Sequence, residues 1–223
     1  PTGSGKSTTL YAMIRDLARD EVNIVTLEDP VEYHIPGVSQ CQINEKTGMT
    51  FANGLRAILR QDPDIISVGE IRDGETAGIA MRSAITGHLV MSTLHTNDAV
   101  SAVYRLRDIG VEPWLVASAL RGVISQRLVR KICPHCKTAY QPSEEELALL
   151  GMPEDSQTTF YKGVGCPECR HTGYVGRRAA FEILMVNREV RRLVNDDAAY
   201  DELLAAAKKN GYRTMRDSCR DLV

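Results

Sequence analysis

Seven residues at the head of the chain, Thr2-Gly3-Ser4-Gly5-Lys6-Ser7-Thr8, constrain its fold more than any other stretch. With Pro1 they match G-x-x-x-x-G-K-[ST] except for the first glycine, which would fall one residue before the sequence begins. Gly3 and Gly5 let backbone N–H groups curl round a β-phosphate. Lys6 can reach the β- and γ-phosphates, and Ser7 can hold magnesium. The positive end of a following helix adds to the attraction. A glycine turn capped by Ser and Lys with no ligand is the alternative, so the residues downstream have to decide.

Leu10, Met13, Ile14 and Leu17 lie at helical spacing, which predicts a helix over residues 6–20 opening straight from the glycine turn. Short apolar strands are expected over residues 22–27, 65–68 and 89–94. They are separated by helical segments at 51–60 and 74–85 and by the breaker Gln61-Asp62-Pro63-Asp64. Strands alternating with helices predict an α/β fold, a largely parallel sheet with helices on both faces. Ligands of such sheets lie at the carboxyl ends of the strands. Further helices are expected over 97–109 and 114–129, a strand over 179–186, and helices over 187–195 and 200–210 with Gly211 as C-cap.

Composition removes several function classes. The 223 residues are 43% apolar and 25% charged, ordinary for a globular chain of one large domain or a core with an appendage. No run approaches 18 apolar residues, so no membrane insertion is expected. A net charge of −2, with neither a basic stripe nor an aromatic stacking platform, argues against direct nucleic-acid binding. Pro1 stands where a methionine would open a complete chain, so the sequence is expected to be part of a longer protein, and missing targeting signals carry no weight.

Acids occur where the chemistry would need them. Glu28 and Asp29 end the first strand before Pro30, and Glu70 follows Gly69 at the end of the second. Carboxylates at these strand ends can organise magnesium or orient an attacking water. His88 and His95 bracket the third strand and can feel a γ-phosphate, or else be ordinary core or surface histidines. Cys133-Pro-His-Cys136 and Cys166-Pro-Glu-Cys169 form two knuckles separated by a helical insert that starts at Ser143, with Glu146 completing a capping box. Four thiolates suit a closed structural zinc site, with a redox dithiol pair or inert buried thiols as alternatives.

Taken together, these stretches resemble the type II secretion and type IV pilus assembly ATPase family over essentially the whole chain. Thr2 to Thr8 resembles that family's Walker A motif. Leu27-Glu28-Asp29-Pro30-Val31-Glu32 resembles its aspartate box, Gly69-Glu70-Ile71-Arg72-Asp73 its Walker B, and residues 87–97 its histidine box. The four cysteines resemble the zinc-binding insert of the assembly and secretion branch. The Walker B strand departs by ending in Gly-Glu rather than Asp-Glu, so Glu28 or Asp29 would have to replace the usual magnesium aspartate.

The resemblance implies a RecA-like P-loop NTPase core over residues 1–128, a tetracysteine zinc module over 129–178 and a C-terminal helical subdomain over 179–223. It implies ATP bound by residues 2–8, and Glu70, Lys6, Glu28, Asp29, His88 and His95 at the catalytic site. Ser7 would hold magnesium, and Cys133, Cys136, Cys166 and Cys169 would hold zinc. The implied work is ATP hydrolysis driving assembly of pilin or pseudopilin fibres. The protein would form a homo-hexamer docked on an inner-membrane platform protein, cytoplasmic and peripheral at the inner face of the membrane. Preceding domains would supply arginines to the bound nucleotide. A nucleic-acid translocase and a nucleotide-gated docking module without turnover are the competing classes.

Overall fold

A computed structural model describes residues 2–153 and 156–223; Pro1, which precedes the glycine turn, lies outside them. α1 (Lys6–Leu17) begins directly after Gly5. Four strands, β1 (Ile24–Glu28), β2 (Val38–Gln42), β3 (Ile65–Val68) and β4 (Leu89–Ser92), pair in parallel in the order β2-β1-β3-β4. α2 (Phe51–Ile58) and α3 (Gly74–Ile85) are the crossover helices that such pairing requires.

Strand register decides which residues meet the loop. Ile24 pairs with Ile65, and Ile65 with Leu89, so side chains two apart share a face across the sheet. Ile24, Ile65 and Met91 pack on Leu10, Tyr11 and Ile14 of α1. Val25, Leu27, Ile66 and Val68 point the other way, into the main core with Leu55 and Ala77. Complete burial of a side chain such as Leu27, Leu55 or Ile66 contributes about 1.5–3 kcal/mol. By the same period, Thr26, Glu28 and Ser67 turn to the α1 face, so polar groups gather on the loop side at the carboxyl end of the sheet.

β2 was not expected, and after β4 the chain departs further from the expected pattern. α4 (Ser101–Asp108) and α5 (Pro113–Ala119) are helical, but the helix expected over 114–129 stops at Ala119 and gives way to β5 (Gly122–Ile132). Next come β6 (Lys137–Tyr140), α6 (Glu144–Leu150) with the expected Ser143–Glu146 capping box, and β7 (Phe160–Gly163). β8 (Tyr174–Met185) begins five residues ahead of the strand expected from 179 and pairs antiparallel with β5 along its length. This two-stranded ribbon runs through positions 128/129 and 178/179 without a break. The cysteine segment, with β6 paired to β7, sits at its far end.

α7 (Arg188–Asn195), α8 (Tyr200–Lys209) and α9 (Met215–Arg220) follow, the last of them unforeseen. Val190, Val194, Leu203 and Tyr212 join the same core as Leu106 and Val116, so the C-terminal helices complete the packing of the main sheet. Among the described residues no helix is long and apolar enough to cross a membrane.

Candidate functional site

Gly5 has φ +86, a conformation open to glycine, and a Cβ there would lie 2.8 Å from the Gln126 side-chain nitrogen. The turn delivers the first N–H groups of α1 to a cleft of about 490 Å³. Gly3, Gly5, Lys6 and Ser7 line that cleft on one side, and Glu28, Asp29, Glu70 and His95 on the other. Thr2, Ser4 and Thr8 also border it. The sheet therefore brings the expected loop residues and three of the expected acids to one cavity.

The two acids that end β1 do different things. Glu28 is buried and accepts hydrogen bonds from the hydroxyls of Tyr11 and Thr26 and from Gln40 Nε2 at 3.0 Å. Burial, followed by the bond to Glu28, holds the Tyr11 hydroxyl up at about 12. Tyr11 Oη also accepts from the Glu32 backbone N–H at 3.0 Å, so this network pins the segment after β1 to α1. Asp29 is half-exposed and stands 4.0 Å from the Arg72 guanidinium. Of the two, Asp29 has oxygen atoms to spare for a cation.

Glu70 follows Gly69, where a Cβ would come 3.0 Å from the Leu27 carbonyl oxygen; the close strand approach leaves little room for an aspartate at this position. Its carboxylate pairs with Arg72 and lies 3.4 Å from His95 Nε2. The Arg72 bond holds the Glu70 carboxyl below the usual carboxylate range against the opposing effect of burial. Thr93 donates to the Gly69 carbonyl at 2.7 Å and Ile71 N–H to the Thr93 carbonyl at 3.0 Å, fixing the two strand ends that carry Glu70 and His95. Burial lowers the Lys6 ammonium pKa while the charge of Glu70 raises it, so the two groups sense each other across the cleft.

His88 does not share this site. It precedes β4 at the opposite end of the strand, with Nδ1 2.9 Å from the Ser83 carbonyl oxygen. Seven residues of extended chain span roughly 20 Å, so one strand cannot present both histidines to one phosphate. The residues that sequence reasoning missed are Tyr11, Arg72 and Gln126. Arg72 sits inside the Gly69–Asp73 box and was within reach of a charge argument; Gln126 was hidden by the reading of its segment as helix.

The second site is the cysteine cluster. All four Sγ atoms lie within 4.8 Å of one another, with Cys133–Cys166 at 3.8 Å, Cys136–Cys169 at 3.9 Å and Cys166–Cys169 at 3.7 Å. A tetrahedron of sulfurs about 2.3 Å from a central zinc has edges of about 3.8 Å, so the donor set fits such an ion. Burial opposes ionisation of Cys169, but the N–H groups of Cys166 and Gly173, each 3.2 Å from its sulfur, bring its thiol down to about 6. Burial pushes Cys136 up to about 12. His135 and His171 are not part of the cluster.

Residues 1–223 match the family described as type II/IV secretion system protein. The type II secretion system ATPase E of Vibrio cholerae serotype O1 is 54% identical over 198 residues, covering 89% of this chain and 39% of that protein. The type II secretion system protein E of Pseudomonas aeruginosa is 50% identical over 220 residues, 99% of this chain and 44% of that protein. The type IV pilus assembly ATPase PilB of Thermus thermophilus is 51% identical over 219 residues, 97% of this chain and 25% of that protein. Among solved structures, the pilus retraction motor PilT with bound ADP aligns with TM-score 0.65 at 33% identity, over 98% of this chain and 58% of that one. The chain thus spans less than half the length of these curated relatives.

Proposed function

The chain belongs to the type II/IV secretion system protein family, and on that premise we propose that it is the ATP-hydrolysing part of a motor that assembles pilin or pseudopilin fibres. One observation carries the reading: Lys6 of the phosphate loop and Glu70 at the end of β3 line the same cavity. Relatives named as secretion and pilus assembly ATPases support it, as does a neighbouring fold described with bound ADP. The motor is a homo-hexamer that works against an inner-membrane platform protein, cytoplasmic and peripheral to the membrane.

In this proposal the loop N–H groups and Lys6 hold the β- and γ-phosphates. Glu70, kept ionised by Arg72, orients the attacking water and accepts its proton as the water oxygen bonds to the γ-phosphorus and the bond to the β–γ bridging oxygen breaks, ADP leaving. His95, 3.4 Å from Glu70 on the segment after β4, would stand beside the terminal phosphate. Ser7 and Asp29 are the groups that would hold magnesium, whose charge would offset that of the phosphate oxygens. Glu28, with both oxygens committed to Tyr11, Thr26 and Gln40, braces the strand end instead. Cys133, Cys136, Cys166 and Cys169 would hold zinc in a closed structural site.

The test is Glu70→Gln in the full-length protein. ATP should bind as in the parent while turnover falls by about 10²–10⁴, the usual contribution of a positioned base. Turnover at the parental rate would remove Glu70 from the role.

A further inference from the structure

Gln126 lies on β5, outside the cleft, yet its side-chain amide reaches back across 122 positions of sequence to the phosphate loop. Its Nε2–H donates to the Ser4 carbonyl at 2.7 Å, and its Oε1 accepts from the Thr9 hydroxyl at 2.6 Å. A carbonyl can only accept, so the nitrogen must face Ser4 and the amide has one orientation here. Ser4 stands before Lys6 and Ser7, and Thr9 after them, so one buried side chain brackets the phosphate-gripping residues. Gly5 lacks a Cβ where this amide lies.

The geometry of the peptide unit makes this bracket consequential. In a trans peptide the C=O and N–H point in opposite directions. Drawing the Ser4 oxygen towards Gln126 therefore turns the Gly5 N–H away from Gln126, and Gly5 borders the cleft. The plane of the Ser4–Gly5 peptide turns about ψ of Ser4 and φ of Gly5, and Gly5, at φ +86 and without a Cβ, offers little steric resistance on its side of that rotation. Rotated the other way, the same unit would offer a carbonyl oxygen to an anion.

We infer that Gln126 is a positioning residue for nucleotide: its amide holds the Ser4–Gly5 peptide with the N–H towards the phosphates and the carbonyl away from them. The inference rests on the nucleotide reading of the cleft. It also extends the ribbon's part in the site, because the next residue, Arg127, donates to the Asn97 carbonyl at 3.1 Å on the segment that follows His95. Opposite Ser125 on β8, buried Glu182 accepts from the Ala99 N–H at 3.2 Å. Both sides of the cleft are thus tied to β5 and β8.

The test compares the parent with Gln126→Leu, Thr9→Val and Lys6→Ala on the full chain, using a fluorescent ADP analogue and thermal melts of the nucleotide-free protein. Gln126→Leu should weaken ADP binding by about tenfold, and Thr9→Val severalfold, alongside the modest drop in melting temperature that loss of a buried hydrogen bond brings. Gln126→Glu adds a readout that a purely structural role would not move. Its carboxyl can donate to Ser4 only when protonated, so affinity relative to the parent should recover as pH falls. If Gln126→Leu does not fold, Thr9→Val decides alone. Parental ADP affinity in Thr9→Val and in any folded Gln126→Leu overturns the inference, and so does a lower melting temperature with unchanged affinity. If the parent itself fails to bind ADP, or Lys6→Ala binds as well as the parent, the nucleotide reading fails as well, which separates the two ideas.

Discussion

At the scale of single residues, burial separates two neighbouring acids that look equivalent on paper. Glu28 and Asp29 both end β1, but the period of the strand turns Glu28 inward to Tyr11, while Asp29 stays open to the cleft and to Arg72. Removing one donor from a buried carboxylate costs about 1–3 kcal/mol, so Tyr11→Phe should lower stability by that amount in urea titrations. Alkaline pH gives the signature. The Tyr11 hydroxyl is raised from 10.0 to about 12 by burial and by Glu28, so the folded state keeps its proton longer than the unfolded chain does. Its contribution is complete below pH 10 and is lost as pH rises from 10 to about 12. The unfolding midpoint of the parent should fall more steeply across that window than that of Tyr11→Phe. Equal slopes would mean that neither burial nor Glu28 holds the proton on this hydroxyl. Other tyrosines raised in the fold are common to both proteins and drop out of the comparison.

At the scale of elements, the Walker B-like box divides its labour between chemistry and architecture. Glu70 lines the cleft with Arg72 paired to it, whereas Asp73 caps α3, accepting from the Thr76 N–H at 2.8 Å and its hydroxyl at 2.9 Å. Asp73→Ala should cost about 1 kcal/mol of stability, seen as a lower melting temperature, with nucleotide affinity nearly unchanged. A large loss of affinity at unaltered stability would instead make Asp73 part of the site. β1, β3 and β4 and the helices around them were legible because each of these three strands is a short apolar run between breakers. β5 was not, because Leu115, Val116, Ala119, Leu120 and Val123 continue a helical spacing across the real end of the helix. Only pairing with β8 turns residues 122–132 into a strand. β2 escaped for the opposite reason: Val38-Ser39-Gln40-Cys41-Gln42 is a polar edge strand, and no apolar run announces it. The glycine loop, the strand-end acids and the four cysteines were legible from residue type and spacing. The Gln126 bracket was not, since it depends on which face of a misread segment meets Ser4.

At the scale of the whole molecule, the ribbon joins two sites that the sequence presents as separate modules. Its near half holds the phosphate loop through Gln126 and the segment after His95 through Arg127 and Glu182. Its far end runs straight into the cysteine cluster, where the Cys133 N–H donates to the Gly173 carbonyl at 2.9 Å. Around the cluster little apolar surface is buried: Leu147 and Phe160 are the large aliphatic and aromatic side chains sequestered between residues 133 and 173 among those described. Metal binding in small thiolate sites supplies about 10–16 kcal/mol, far more than two such side chains can, so with zinc bound as proposed the metal would decide whether this segment is ordered. Chelation should therefore expose residues 133–173 to proteases and to hydrogen exchange before the parallel sheet opens, with the amides of α1 and β1 still protected. Unchanged exchange in that segment after complete metal removal would show that protein contacts alone order it. Because the outer ribbon then frays towards Val129 while Gln126 lies three residues further in, fluorescent ADP should bind the stripped protein more weakly, and bound ADP should raise the affinity for the metal by the same factor, as reciprocity of coupled equilibria demands. Equal ADP affinity with and without metal would confine the ribbon to holding the cleft and deny it any part in linking the two sites.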